Sequence, residues 1–146
     1  MPIPHDDHDL IREFEQETLD LDAFRHADHV RLAWAYLSHY SLIHVLARVT
    51  KALKRLASHR GHPEIYHETI TCAYIVLIYE RMQRGNNVED WASFSLANPD
   101  LLDWNEPILN RYYTSATLKS DRARRAFVVP DRDLSDRPIS QSRSGS

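Results

Sequence analysis

One cysteine among 146 residues excludes an internal disulfide, so the chain is expected to work in a reducing compartment. Cys72 sits among apolar neighbours, which predicts a buried, inert thiol rather than an activated one. No apolar stretch approaches the roughly 20 residues that cross a bilayer. The longest, Ile70 to Tyr79, is interrupted by Thr71 and Cys72. The first residues, MPIPHDDHD, lack a basic n-region and an apolar h-region, so the expected address is the cytoplasm. A phosphate-cradling loop, a GxSxG elbow and a paired CxxC are also missing, and the enzyme families built on them are set aside. Nothing repeats, and nothing alternates cleanly enough for a sheet.

What is present is an ordinary globular balance, 42% hydrophobic and 27% charged, in a length suited to one domain. Helical periodicity dominates. The expected fold is all-α: a compact helical bundle with a buried central helix, spanning 1–131, followed by a disordered polar tail over 132–146. The net charge of -3 argues against nucleic acid as the main partner. Its distribution is uneven. Asp6 to Asp22 holds eight acids and only Arg12 as a base, whereas Leu42 to Arg60 carries Arg48, Lys51, Lys54, Arg55 and Arg60 with no acid. Complementary packing or two solvated faces explains this pattern more simply than a polyanion-binding stripe.

Asp6 or Asp7 can cap a first helix running to about Thr18, with Leu10, Ile11 and Phe14 on its apolar side. A second begins near Asp28, where Val30, Ala33, Trp34 and Leu37 recur at helical spacing. Ser41 caps a third, whose apolar stripe runs from Leu42 through Val45, Val49 and Leu53 to about Ser58. Gly61 ends it and Pro63 opens a fourth, closed by Gly85 and Asn86. Its middle, ITCAYIVLIY, is apolar on every face and marks it as the central helix. Shorter helical stretches are expected after Asn87 and Asp90, after Asn98, from Glu106 to Tyr113 and from Asp121 to Phe127.

The chemistry is concentrated in histidine. Six of the nine histidines fall in HxxH pairs: His5 with His8, His26 with His29, and His59 with His62. The first lies in a polar terminus and the third straddles a helix end, which suits solvent or capping roles. The middle pair directly precedes a strongly apolar helix, and residues three apart on a helical turn face the same way. A second signal is YHETIT, Tyr66 to Thr71, where His67 and Glu68 enter the central helix. Short connections between helices two, three and four predict an up-and-down arrangement, with helices two and four starting at the same end. His26, His29 and His67 can then converge as metal ligands, with Glu68 as general base or fourth ligand. The ion would be a divalent metal: zinc, iron(II), manganese or nickel. Tyr66 or Arg25 would orient the substrate. The alternative assigns His67 to a loop carbonyl, Glu68 to an arginine such as Arg25 or Arg31, and the HxxH to capping. HExxH itself is absent, since Thr71 stands four residues after His67, and the peptidase reading goes with it.

The segments FRHADHVRLAWAYL and YHETIT resemble those of a family of short, mostly uncharacterised bacterial proteins with aromatic-x-H-x-x-H-(L/V), AWxYL and YHET(I/L)T motifs. A third matching stretch runs LLDWNEPILNRYYTSATLKSDRARRAFVVPD, so the likeness covers most of Phe24 to Asp131. What it implies is that His26, His29, His67 and Glu68 occupy the family's polar motif positions, with Tyr66 beside them. It implies no activity. Where the family often carries a bulky aromatic after the YHETIT run, this chain has Cys72 and Ala73.

Two functions are therefore expected from the sequence. One is a small metal-dependent enzyme acting on a small-molecule substrate by hydrolysis, lyase chemistry or oxygen activation. The other is a non-catalytic helical binding or regulatory module, working through its basic third helix or the arginines Arg122, Arg124 and Arg125.

Overall fold

A computed structural model describes residues 3–85 and 90–132. Eight α-helices and three 3-10 turns form the described residues, with no strand among them, so the fold is all-α as expected. α1 (Asp7–Glu15) starts where the Asp6 carboxylate accepts the His8 N–H at 3.2 Å, and it buries Leu10, Ile11 and Phe14. It stops short of Thr18 because Glu17 adopts the left-handed region at φ 60°. Thr18 N–H then bonds the Glu13 carbonyl and Glu17 N–H that of Phe14, the paired bonds that close a helix end. A glutamate pays a steric cost in that region. Its carboxylate is held in return by Arg55 at 3.1 Å and His59 at 3.0 Å.

α2 (His26–His39) begins two residues before Asp28, whose carboxylate reaches back to the Arg25 N–H at 2.8 Å. α3 (Leu42–His59) is capped by Ser41, as the sequence predicts, and Gly61 ends it at φ 79°, where a side chain would be strained. α3 also resolves the charge asymmetry. Its basic face pairs with the acidic N-terminal segment: Arg48 with Glu15 at 2.6 Å, Arg55 with Glu17, and Arg60 with Asp22 at 3.1 Å.

α4 (Glu68–Arg84) starts later than Pro63. Pro63–Ile65 forms a separate 3-10 turn, Tyr66 and His67 are extended, and His67 is the N-cap. α4 packs against α2, α3 and α8, which makes it central. It is not enclosed all round, since Val76 is 42% exposed.

Asp90 caps α5 (Trp91–Ala97), while Asn86 and Asn87 lie outside the described residues. α6 (Pro99–Leu102) follows Asn98 directly. Arg81 of α4 ties this corner down, donating to Asn98 Oδ1 at 2.9 Å and to both carboxylate oxygens of Asp100 at 2.9 and 2.7 Å. That arginine holds the Asp100 carboxyl down at about 2. A 3-10 turn over Ile108–Arg111 replaces the helix expected there, and α7 (Ser115–Leu118) is a turn that the sequence did not announce. α8 (Asp121–Arg125) is capped by Ser120 and ends before Phe127.

The chain then docks rather than trailing away. Thr69 Oγ1 donates to the Ala126 carbonyl at 2.9 Å and accepts the Val128 N–H at 3.1 Å. Tyr113 bonds the Val128 carbonyl at 2.7 Å, and the Arg132 N–H reaches the Tyr112 carbonyl at 3.0 Å. Arg132, expected to open the loose tail, is thus fixed at its backbone; 133–146 lie outside the described residues. No helix among the described residues is long and apolar enough to cross a membrane.

Candidate functional site

The sequence expectation brings His26, His29, His67 and Glu68 together. The structure divides them. His67 spends both ring nitrogens on the fold: Nδ1 accepts the Ile70 N–H at 3.1 Å and Nε2 donates to the Leu118 carbonyl at 2.7 Å. A carbonyl only accepts, so Nε2 carries the proton, and no nitrogen is left for a metal. His67 is a helix cap that also fastens α4 to α7. Glu68 faces α3, where it accepts the Tyr66 hydroxyl at 2.5 Å and lies 3.6 Å from Lys54. Neither Arg25 nor Arg31 is its partner; Arg31 instead donates to the carbonyls of Pro4 and His5.

The reason is axial offset between helices. His26 lies beside Tyr74, with ring centroids 5.0 Å apart, two turns further along α4 than His67. His67, with both ring nitrogens committed, has none to share with an ion beside His26. The three-histidine ligand set is therefore not assembled, and no group of three His, Cys, Asp or Glu gathers in metal-binding geometry among the described residues.

What does gather is a cavity of about 230 Å³ enclosed by α2, α3 and α4. α2 presents His26, His29 and Ala33 to it, α3 presents Val49 and Leu53, and α4 presents Ile70, Thr71, Tyr74 and Ile78. Trp104, on the loop after α6, completes one side. The indole lies against the His26 ring at 4.6 Å and remains 59% exposed, so it stands at the rim. The loop is braced by Asp103, whose carboxylate accepts the N–H groups of Asn105 and Glu106 at 2.9 and 3.2 Å. Among the described residues, no Asp, Glu, Lys or Arg lines the cavity.

Its polar equipment is sparse. His26 Nε2 donates to the Leu101 carbonyl at 2.9 Å, which fixes the ring and leaves Nδ1 as an acceptor. Desolvation holds the His26 pKa below the ordinary histidine value despite that bond. His29 is exposed on one side, yet protein crowds the other: desolvation first, then the neighbouring His26, lowers its pKa as well. Both rings are therefore neutral at pH 7. His29 is packed edge-on against Phe24, with centroids 5.2 Å apart. Tyr74 is the anomaly. Its side chain is buried, its hydroxyl has no hydrogen-bond partner among the described residues, and burial pushes its pKa up to about 12. It is a protonated donor with nothing to donate to.

Neither Tyr74 nor Trp104 belongs to the histidine motifs that the sequence singles out. The signal that could have marked Tyr74 is a phenol inside ITCAYIVLIY, a run offering its hydroxyl few side-chain partners. The other motif residues are structural. Tyr66 borders a second, basic cleft of about 300 Å³ with Lys54, Ser58, Arg124 and Arg125. His8 rests on His39, His59 pairs with Glu17, and His62 pairs with Glu64. Cys72 is half-buried rather than buried, with its thiol pushed up to about 11 by burial and then by Glu68, so it stays protonated. The chain matches no protein-family model, no curated protein and no solved structure.

Proposed function

We propose that this domain binds a small, largely apolar molecule in the cavity between α2, α3 and α4, with His26 and His29 as polar handles. The observation that carries the reading is the cavity itself, about 230 Å³ with largely apolar walls and the His26 and His29 rings at one side. Apolar walls with few polar groups are the usual character of small-molecule sites. This develops the binding-module alternative, in a reducing, cytoplasmic setting that the single cysteine supports. Ligand-observed NMR against a library of small fragments tests it, with Ala33→Leu as the blocking variant, since Ala33 lines the cavity. Hits that persist in Ala33→Leu would place binding elsewhere.

A metal-dependent enzyme acting on a small-molecule substrate is the second reading, and the free Nδ1 of His26 beside His29 favours it. Two imidazoles hold zinc, iron(II), manganese or nickel less firmly than three protein ligands, so water and substrate would complete the shell. Untagged protein exchanged into metal-free buffer is expected to retain well under one equivalent by elemental analysis. Stoichiometric metal lost in both His26→Gln and His29→Gln would reverse the order of the two readings.

A further inference from the structure

Apart from the apolar cavity, we propose a second site: the basic cleft between α3 and α8 binds the phosphate group of a small phosphate monoester. The cleft has a volume of about 300 Å³. Lys54 and Ser58 of α3, Pro63 and Tyr66 before α4, and Arg124 and Arg125 of α8 line it. Lys54 and Ser58 stand four residues apart and so share one face of α3. The arginines are brought over by the segment after α8, which Thr69 holds at Ala126 and Val128. Elements distant in sequence thus give Lys54, Arg124 and Arg125 to one concave surface, and among the described residues no carboxylate lines it.

The charge balance selects a dianion. Glu68 lies 3.6 Å from Lys54 but is already held by the Tyr66 hydroxyl, and Asp121 meets Arg124 at 3.0 Å within one helical turn at the surface. Exposed pairs of this kind contribute little, so an anion of better geometry displaces them. Arg125 meets no carboxylate among the described residues; its Nε–H reaches only the Asp121 carbonyl, at 3.4 Å. A ligand can reach each cation: Arg125 is exposed, and the side chains of Lys54 and Arg124 are 56% and 31% exposed. A phosphate monoester carries about -1.5 to -2 charges at neutral pH and three acceptor oxygens, enough to engage all of them, whereas a carboxylate brings a single charge. Guanidinium forks match phosphate oxygens, and the ammonium adds a point charge.

Size and walls favour an organic group on the phosphate. An apolar cavity of about 150 Å³ holds benzene, so about 300 Å³ accommodates a phosphate with roughly one ring. Pro63 and the Tyr66 ring supply an apolar wall beside the cations. Nucleic acid suits the cleft less well, because its internal phosphates are singly charged and Arg48, Arg55 and Arg60 are engaged by the acidic N-terminal segment.

Phenyl phosphate, inorganic phosphate and benzoate are titrated into the full chain in about 0.05 M salt, with protein amide shifts giving both dissociation constant and location. Phenyl phosphate is expected to move the amides around Ser58, Tyr66 and Arg125 and to bind at least tenfold tighter than benzoate. Arg125→Gln and Lys54→Gln should each weaken it about tenfold, the effect of one charge-assisted hydrogen bond. Arg122→Gln removes the same charge from the same helix without touching the cleft lining, and should leave the constant within about twofold. Equal weakening by Arg122→Gln and Arg125→Gln would reduce the site to general attraction by a basic surface and overturn it. Benzoate binding as tightly as phenyl phosphate would overturn the dianion, and inorganic phosphate doing so would overturn the organic group. Absence of any shift with phenyl phosphate would overturn the site outright, whatever the apolar cavity binds.

Discussion

Tyr74 is the residue whose energetics run against the fold. Its ring is buried on α4, yet its hydroxyl is unpaired. Tyr74→Phe is therefore expected to stabilise the ligand-free protein by about 1 kcal/mol, seen as a rise of a few degrees in Tm. A fall in Tm would mean that the hydroxyl has a partner in solution, and the argument for a vacant donor would end there. His29 carries a pH signature. Its folded pKa lies below the ordinary histidine value of 6.5, so above that pH both folded and unfolded chains hold it mostly neutral. As pH falls below 6.5 the unfolded chain takes up the proton first, and the stability present at neutral pH is lost on the way to the folded pKa. His29→Gln should therefore flatten the decline in Tm as pH falls below 6.5. Parallel wild-type and variant curves across that window would show that His29 is not desolvated.

At the scale of elements, the ends of helices decide where chemistry is available. His67 looks like a ligand in the sequence because imidazole is a ligand type, but α4 needed a cap where its chain turns from extended to helical, and His67 supplies it. Thr69, in the first turn of the same helix, does comparable work for the C-terminal segment. Thr69→Val keeps the shape and leaves the Ala126 carbonyl and Val128 N–H without their partner. A loss of about 2 kcal/mol in urea unfolding is expected, together with faster amide exchange around Val128. Truncation reads the same contact. Ending the chain after Arg132 should leave Tm within a few degrees, because the remaining sequence is serine, charge and proline. Ending it after Phe127 removes the Tyr113 to Val128 bond and the backbone bonds to Tyr112, and should cost far more.

For the molecule as a whole, charge is spent internally. The arginines of α3 and its C-cap that suggested a polyanion stripe are engaged by Glu15, Glu17 and Asp22, and of these pairs the exposed Arg60–Asp22 one contributes little stability. A labelled oligonucleotide is accordingly expected to show no binding to the full chain in 0.15 M salt. Salt-sensitive micromolar binding would show that the pairing leaves a usable basic surface. Sequence alone determined the helical class, the cap at Ser41 and the choice of Asp6 or Asp7 for the first, the stop at Gly61 and the central rank of ITCAYIVLIY, whereas the Asp90 cap emerged only in the structure. These depend on propensity, spacing and local hydrogen bonds, all of which act within a few residues. The site was decided by tertiary structure. Which of four polar motif residues would meet depended on the axial offset between α2 and α4, and that offset is set by how their side chains interlock with α3, α6 and α8. The packing sent His67 to a carbonyl and Glu68 to Tyr66, and left His26 beside a phenol that the sequence had hidden in the core. Packing fixes such offsets because close-packed interiors permit few alternatives, and no pattern along one helix records its register against another.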